Sequence, residues 1–159
     1  MSVSPLSAHP VTSPEEDERF MAEALKVGQS GLGRTWPNPS VGAVVVQHVN
    51  GRPHIVGAAA TAPTGRPHAE PIALAQAGEA APGSTLYVTL EPCPMCAAAI
   101  SLARIRRLYW GADDPKGGGV EHGPRTFSQP TCHHRPEVYG GIGEREASAL
   151  LKEFFRERR

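Results

Sequence analysis

A chain of 159 residues is long enough to bury the core of one domain without disulfide bonds. Its sixteen basic residues balance sixteen acidic ones, which argues against a general nucleic-acid-binding protein, since that class normally has a basic excess. No apolar run approaches the roughly 20 residues that span a bilayer, and the first residues lack a signal-peptide pattern. Three cysteines in such a chain favour a metal or redox site over a disulfide framework. We therefore expect a cytoplasmic protein with no membrane partner.

The first part of the chain contains a tail, a helix and a hairpin. Residues 1–12 are rich in Ser, Pro and small side chains, which predicts a disordered tail ahead of a single domain over 13–159. The Ser-Pro-Glu-Glu segment at 13–16 is typical of a capped helix start. Apolar residues over 41–49 predict a strand, and the following Asn-Gly pair predicts a tight turn into a return strand.

The remainder alternates between predicted helices and strands, which indicates an α/β layer architecture. One long loop over 112–135 interrupts it, and loops of this length in a compact domain are usually functional or mobile. The expected elements are a helix over 69–78, a strand over 85–90, a helix over 96–103, a strand over 105–111 and a helix over 144–158.

Two short motifs carry the chemistry. Residues 67–70, Pro-His-Ala-Glu, stand at the start of a predicted helix, and residues 91–96, Glu-Pro-Cys-Pro-Met-Cys, stand where a predicted strand meets a helix. H-x-E followed by P-C-x-x-C is the signature of zinc-dependent deaminases. The two motifs together are far more specific than either one alone.

His68, Cys93 and Cys96 are the predicted zinc ligands. One imidazole and two thiolates make three protein ligands, and catalytic zinc sites keep the fourth position for water. A helix N-terminus favours the thiolate form, and zinc lowers the pKa of its water towards neutrality. Glu70 lies two residues after His68, which is close enough to take a proton from that water. It is the predicted catalytic residue and passes the proton to a ring nitrogen and then to the departing amine.

Two other interpretations of these residues stay open. A structural zinc site needs a fourth protein ligand, which Cys132, His133 or His134 can supply. In that case the chain is a non-catalytic zinc module and Glu70 has no function. A thioredoxin-like redox pair has the same C-x-x-C spacing, but the predicted elements around it come in a different order.

From about residue 18 to the end, the chain resembles the cytidine-deaminase-like superfamily. The second half is similar to the bacterial tRNA adenosine deaminases, which make inosine at the anticodon wobble position. The first half is similar to the deaminase domain of riboflavin biosynthesis. The matching stretches are residues 92–100, 103–105, 111–116, 134–138 and 150–159 for the former, and 33–42 and 65–70 for the latter.

The resemblance implies a three-layer α/β/α sandwich around a mixed sheet of about five strands. It also implies a Zn²⁺ cofactor, a homodimer and a nucleobase-containing substrate, with adenosine in tRNA as the first expectation. A free base, nucleoside or nucleotide is the alternative substrate. Basic residues of the last helix resemble the tRNA-backbone contacts of the family, although they also complement the helix dipole.

Five positions are expected to contact the substrate. Thr61 occupies the place of the base-binding Asn of the tRNA deaminases, and Asn38 corresponds to a substrate-contacting Asn of the riboflavin family. His134 lies in a segment that borders the active-site mouth in the family. The backbone around Ala69 and Cys93 is expected to stabilise the tetrahedral intermediate.

Overall fold

The computed structural model of the protein describes residues 12–156. The predicted disorder of residues 1–12 therefore falls, except for Thr12, outside the described residues. Thr12 itself is buried, and its hydroxyl lies 2.8 Å from the Tyr109 hydroxyl in a hydrogen bond. The elements are α1 (Pro14–Ser30), β1 (Gly42–Val49), β2 (Arg52–Ala60), α2 (Ala69–Ala77), β3 (Thr85–Leu90), α3 (Pro94–Leu102), β4 (Arg107–Ala112), β5 (Glu137–Tyr139) and α4 (Glu144–Arg156).

Local sequence signals explain how several of these elements begin and turn. The Ser13 hydroxyl accepts a hydrogen bond from the Glu16 N–H and caps α1, as the capping-box pattern predicts. Between β1 and β2, Asn50 and Gly51 both have positive φ angles, as a type I′ hairpin turn requires. Pro94 occupies the first turn of α3, where its missing N–H has no intrahelical partner to lose.

The five strands form one sheet in the order β2-β1-β3-β4-β5. β1 pairs antiparallel with β2 and β3, while β3, β4 and β5 run parallel, so the sheet is mixed as predicted. β5 was not predicted from the sequence. It is three residues long and partly exposed, so a period-two apolar pattern cannot develop within it.

Helices cover both faces of the sheet, which confirms the three-layer sandwich. α1 packs on one face against Val44, Val46 and Tyr87, and α4 packs with α1 and β4. α2 and α3 cover the other face around Val45 and Leu86. Because successive side chains of a strand point to opposite faces, the continuous valine run of β1 supplies both cores.

Both motifs come to one edge of the sheet because of the strand directions. Gly42 at the start of β1 pairs with Ala60 at the end of β2, and Leu90 pairs with Ala112 at the ends of β3 and β4. α2 and α3 begin at this same edge: α3 follows β3 closely, and a loop over residues 61–68 connects β2 to α2. None of the helices within residues 12–156 combines the length and apolarity needed to cross a membrane.

Candidate active site and metal centre

His68, Cys93 and Cys96 form a cluster where α2 and α3 begin. His68 is the N-cap residue of α2, Cys93 is the N-cap residue of α3, and Cys96 lies in the first turn of α3. The Nδ1 atom of His68 is 3.6 Å from the Sγ atom of Cys93 and 3.4 Å from that of Cys96. The predicted ligands are thus brought together although the two motifs are separated by more than twenty residues.

The cluster has the dimensions of a zinc site. A tetrahedral ion with Zn–S bonds of about 2.3 Å and Zn–N bonds of about 2.0 Å separates its N and S ligands by about 3.5 Å and two S ligands by about 3.8 Å. The observed N–S separations match, and all three donor atoms lie within 4.8 Å of one another. One imidazole and two thiolates are also a donor set that zinc prefers.

The two thiols shift each other's pKa through a hydrogen bond between them. A hydrogen bond from the Cys96 thiol lowers the pKa of Cys93 to about 5, against the opposing effect of burial. The same hydrogen bond, together with burial, raises the pKa of Cys96. A bound divalent cation would displace the remaining proton, because metals bind the thiolate form.

Glu70 lies beside this cluster in the first turn of α2. Its side chain is buried, and burial raises the pKa of the carboxyl group to about 7, although its own backbone N–H opposes the rise. The neighbouring Cys93 thiolate raises this pKa further, whereas His68 lowers it. A carboxyl group with a pKa near the working pH is well matched to proton transfer in both directions.

An open cavity of about 210 Å³ lies beside the cluster. Its wall contains the predicted metal ligands His68 and Cys93 and the predicted catalytic residue Glu70. A ligand in the cavity would therefore contact the metal site directly. The predicted contacts Asn38 and Thr61 also lie in this wall. The other lining residues are Pro39, Val41, Leu90, Glu91, Asp114 and Gly117.

Asn38 and Thr61 also fix the position of the loops that carry them. The Asn38 amide donates to the Gly65 carbonyl at 2.9 Å, which leaves its side-chain oxygen available to a ligand. The Thr61 hydroxyl accepts from the Val41 N–H at 2.9 Å and donates to the Pro39 carbonyl at 3.3 Å. Their assignment as substrate contacts stays a prediction.

The backbone at Ala69 and Cys93 was predicted to stabilise the tetrahedral intermediate, and both residues stand at helix starts. Ala69 is the first residue of α2 and is fully buried, and Cys93 caps α3. The N–H groups of a first helical turn have no intrahelical acceptor and stabilise negative charge near them. This arrangement is compatible with the predicted role in holding a tetrahedral intermediate, which stays a prediction.

His134 is held in a different environment. Its ring Nε2 lies 2.7 Å from the Ile105 carbonyl, and its backbone N–H donates to the Ser101 hydroxyl at 3.1 Å. It is not among the residues that line the cavity. The Cys132 thiol donates to the His134 carbonyl. Within residues 12–156, His68, Cys93 and Cys96 are the one group of three or more potential metal ligands, so a fourth protein ligand, as a structural zinc requires, does not join them.

Glu91 is a site residue to which the sequence analysis assigned no role. Its side chain is fully buried, and both oxygens accept hydrogen bonds from the loop after β4. The His122 ring nitrogen Nδ1 lies 2.7 Å from Oε1. The further donors are the backbone N–H groups of Asp114, Val120, Glu121 and His122. The one sequence signal for this role is an acidic residue at the end of a buried strand, directly ahead of the cysteine motif.

The electrostatic state of Glu91 follows from these contacts. Burial alone would raise the pKa of the Glu91 carboxyl, but the hydrogen bonds from the His122 ring and the backbone N–H groups hold that pKa below its usual value. The carboxylate in turn raises the pKa of His122. Glu91 therefore holds the loop segment that places Asp114 and Gly117 in the cavity wall.

A family model described as the cytidine and deoxycytidylate deaminase zinc-binding region matches residues 14–112, which include the whole cluster and Glu70. The chain belongs to this deaminase family. Deaminases of this kind are zinc-dependent hydrolases that act on C–N bonds, and the site described above contains each residue type that this chemistry uses. The family assignment, the fold and the enzyme class predicted from the sequence are thereby confirmed.

Individual relatives of this deaminase fall into two groups. A tRNA-specific adenosine deaminase from Agrobacterium fabrum is 69% identical over 81 residues, which are 51% of this chain. The matched part spans about half, 53%, of that relative. A solved structure from a study of A-to-I editing by tRNA:A34 deaminases at the wobble position of transfer RNA is 46% identical, with a TM-score of 0.70, and the match covers 84% of this chain and 99% of that one.

The second group consists of RibD proteins. The structure of Acinetobacter baumannii RibD superimposes with a TM-score of 0.75 at 33% identity. The match covers 91% of this deaminase but 40% of the RibD chain. Both groups thus share the fold, and each match extends over both halves of this chain.

Proposed function

We propose that this deaminase binds zinc through His68, Cys93 and Cys96 and converts adenosine to inosine in tRNA. The observation that carries the proposal is the placement of Glu70 in one cavity wall with His68 and Cys93 of the three-ligand cluster, in a chain 46% identical to a tRNA:A34 deaminase over most of its length. A cytoplasmic location and a homodimer, which the family resemblance implies, are part of the same proposal.

The protein groups then divide the work of hydrolysis. When bound, zinc supplies Lewis-acid chemistry that lowers the pKa of water at the cavity wall. Glu70 accepts a proton from the attacking water and delivers it to the ring nitrogen next to the carbon under attack. Glu70 next takes the remaining proton of the added hydroxyl group and passes it to the exocyclic amine as the bond between the amine and that carbon breaks. Water thus adds, ammonia leaves, and a carbonyl remains on the ring.

Burial of Glu70 is central to this role. An exposed carboxylate near its ordinary pKa would hold a transferred proton poorly at neutral pH, whereas burial raises the pKa of Glu70 and so strengthens it as a base. The Nδ1 atom of His68 and the two thiolates are directed to the cation, so none of them competes for this proton.

A small-molecule deaminase is the second candidate function. It is favoured by the loop that carries Asn38 and by the superposition on A. baumannii RibD, which has the higher of the two TM-scores. The same zinc site and the same proton transfers would serve a free base, nucleoside or nucleotide, and the reaction would then gain nothing from an RNA context.

Ammonia release by the zinc-loaded protein separates these candidates. The protein would be offered a wobble-adenosine anticodon stem-loop, the same stem-loop with guanosine at the wobble position, and free adenine, guanine, cytosine, their nucleosides and a pyrimidine ribotide. Turnover of the adenosine stem-loop alone is the expected result. Turnover of a small molecule with the stem-loop unchanged would overturn the tRNA proposal and favour the second candidate.

A further inference from the structure

A group of arginines lies at the end of the sheet opposite the active site, where β4 and β5 begin. Arg104 and Arg106 stand between α3 and β4, Arg107 is the first residue of β4, and Arg135 lies two residues ahead of β5. We call these four residues the arginine patch. The whole chain has equal numbers of acidic and basic residues, so the patch is a local excess of positive charge.

Strand pairing joins the two segments that carry the arginine patch. The Arg106 carbonyl accepts a hydrogen bond from the Glu137 N–H at 2.8 Å. One residue earlier, the Ile105 carbonyl lies 2.7 Å from the His134 ring. The patch is therefore one surface made by two neighbouring strand starts.

The carboxylate of Glu137 is paired with one member of the patch. It accepts a hydrogen bond from the Arg107 Nε atom at 2.9 Å and another from the Tyr139 hydroxyl at 3.2 Å. Burial would raise the pKa of Glu137, but these hydrogen bonds and the charges of Arg107 and Arg106 hold that pKa below its usual value. The charge of Glu137 is thus already engaged within the protein.

The other members of the patch lack an acidic partner of their own. Within residues 12–156, Arg104, Arg106 and Arg135 form no ion pair. The buried Nε atom of Arg106 has no hydrogen-bond acceptor among these residues, whereas the Arg135 guanidinium donates to the Gln129 carbonyl at 3.0 Å. Like charges repel one another, and a buried donor without an acceptor costs free energy. An anion bound at the patch would relieve both costs.

The distance of the patch from the metal site indicates which anion it fits. α3 has Cys93 as its N-cap residue, and its nine residues extend about 13 Å. Arg104 follows two residues after the end of α3 and is exposed, as is Arg135. An anion at this distance belongs to a part of the substrate outside the reacting nucleotide. Guanidinium groups match the oxygens of a phosphate, which they bind with two parallel hydrogen bonds.

We propose that Arg104, Arg106 and Arg135 bind backbone phosphates of the tRNA substrate, away from the nucleotide that reacts. The inference rests on the proposed tRNA substrate and adds a binding surface outside the cavity. A double-stranded stem presents phosphates along its whole length, with one negative charge for about every 1.7 Å of axis in duplex DNA, so several guanidinium groups can each reach one. Such contacts position the nucleic acid and carry no base preference.

The salt dependence of tRNA binding tests these contacts. The double variant Arg104→Gln/Arg135→Gln removes two exposed charges and leaves the metal site and the cavity unchanged. If each arginine neutralises one phosphate, the slope of log Kd against log salt should decrease by about 1.4 to 1.8. At a fixed salt concentration, the Kd for full-length tRNA should rise about 10-fold, as the loss of two exposed charge pairs predicts.

The matched control is Arg52→Gln. Arg52 is also exposed and forms no ion pair within residues 12–156, but it begins β2, which is three strands and about 14 Å from β4. Its Kd and its salt slope should equal the wild-type values. The single variant Arg104→Gln has the same net charge as this control and should show about half of the slope change of the double variant.

Substrates of increasing length locate the contact on the RNA. The zinc-loaded protein would be offered the anticodon loop as a single-stranded oligonucleotide, the anticodon stem-loop and full-length tRNA. Wild type should gain affinity as the stem is added. The double variant should bind the loop alone as well as wild type does and lose most of this gain. With full-length tRNA its KM should rise while kcat is retained.

Four results would overturn the inference. They are an unchanged salt slope in the double variant, an equal slope change in Arg52→Gln, and a changed oligomeric state of the double variant with an unchanged Kd, which would assign the patch to a second copy of the chain. The fourth is stabilisation of wild type but not of the double variant by inorganic phosphate, with tRNA binding unchanged, which would assign the patch to a free anion.

Inosine formation is measured separately from binding. The expected salt slopes without inosine would refute the proposed function alone, because the phosphate contacts would then exist without the reaction. Inosine formation with unchanged salt slopes would refute this inference alone.

Discussion

The two sides of the cavity are held in place by different means. On one side, His68 and Cys93 are the N-cap residues of α2 and α3, so helix starts position both ligands. Cys93 closely follows the end of β3, whereas residues 61–68 connect β2 to α2. On the other side, Asn38 and Asp114 lie on loops that are held by side-chain hydrogen bonds, from the Asn38 amide to the Gly65 carbonyl and from several loop donors to the Glu91 carboxylate.

This difference separates the chemistry of the enzyme from its choice of substrate. The side built on helix starts tolerates little variation, because a metal site fails when its ligands move by a fraction of an ångström. The side built on loops can change the shape of the cavity without moving the metal ligands. Relatives with different substrates can therefore share the metal cluster and differ in the loops.

Loss of a metal ligand should have the largest effect. Cys93→Ser removes a thiolate from the cluster, so we expect the zinc content per chain to fall towards zero and deaminase activity to become undetectable. Metal analysis of the purified protein and ammonia release measure the two effects.

The matched control is Cys132→Ser. The Cys132 thiol bonds to Ser101 and His134 outside the cluster, so this variant should retain both zinc and activity. Full zinc occupancy in Cys93→Ser would contradict the ligand assignment, and loss of zinc in Cys132→Ser would revive the structural-zinc interpretation.

Replacement of Glu70 should leave the metal in place and remove the proton carrier. Glu70→Gln has nearly the same size, so zinc content should stay at the wild-type level while kcat falls about 10²- to 10⁴-fold, the usual contribution of general acid–base catalysis. A kcat within a few-fold of wild type at full zinc occupancy would exclude Glu70 from proton transfer.

The metal-free protein offers a pH test of the same residue. Burial raises the pKa of Glu70 from 4.5 to about 7, so between these values the folded state binds more protons than the unfolded state. Stability should therefore fall as pH rises from 4.5 to 7, by about 3 kcal/mol through this group. Denaturant unfolding of wild type and Glu70→Gln isolates the pH-dependent contribution of Glu70 to the free energy of unfolding, because the glutamine variant cannot bind this proton. Parallel pH curves for the two proteins would contradict the buried, proton-binding Glu70.

The side of the cavity built on helix starts could be predicted from the sequence because its signals are local. The ligand spacing in residues 93–96 and the Pro-His-Ala-Glu segment lie within single helix starts, where the motif, the cap and the first turn coincide. The strand over Thr85–Leu90 was predicted with its observed bounds because apolar residues alternate along one of its faces and it ends at the motif.

The loop side could not be predicted because its contacts join distant parts of the chain. Glu91 bonds to N–H groups 23 to 31 residues away, and Trp36 meets Phe154 from the opposite end of the chain. Neither pairing leaves a periodic pattern. His134 shows the consequence: its position in the sequence suggested the cavity mouth, whereas its ring is bonded to the Ile105 carbonyl.

Glu91 connects the two sides, so its replacement should have an intermediate effect. Glu91→Gln replaces one acceptor oxygen by an N–H donor, which then opposes the loop N–H groups. Because hydrogen bonds to a buried charge contribute about 1.5–3 kcal/mol each, we expect a loss of about 3 kcal/mol in unfolding free energy. Hydrogen exchange of residues 114–122 should accelerate, and KM should rise more than kcat falls.

The matched variant is His122→Gln, which removes the ring contact and leaves the carboxylate with its backbone donors. Its loop should exchange faster than wild type but slower than Glu91→Gln. The free energy of unfolding of this variant should also lose the pH dependence that His122 contributes. The raised pKa of His122 stabilises the folded state below the ordinary histidine pKa, and this contribution disappears as pH rises through the raised value. Equal exchange in all three proteins would show that Glu91 does not hold the loop.

The smallest effect is expected from substitution of Asn38. This substitution distinguishes a residue that only holds its loop from one that contacts the substrate. Asn38→Asp keeps the size of the side chain but cannot donate to the Gly65 carbonyl. The loss of one neutral hydrogen bond is worth about 1 kcal/mol, so KM should rise about five-fold with kcat nearly unchanged. Thr61→Val is the companion variant, because it removes the hydroxyl that joins the Val41 N–H to the Pro39 carbonyl.

Both variants loosen the first-half loops, but only one changes a group whose acceptor oxygen is available to a ligand. If Asn38 serves only to hold its loop, the two substitutions should raise KM to a similar extent and for every substrate alike. If its side-chain oxygen also contacts the base, Asn38→Asp should alter the preference between adenosine and guanosine stem-loops, whereas Thr61→Val should not. The ratio of kcat/KM values for the two stem-loops therefore shows whether the loop side selects the base through Asn38 or only through its shape.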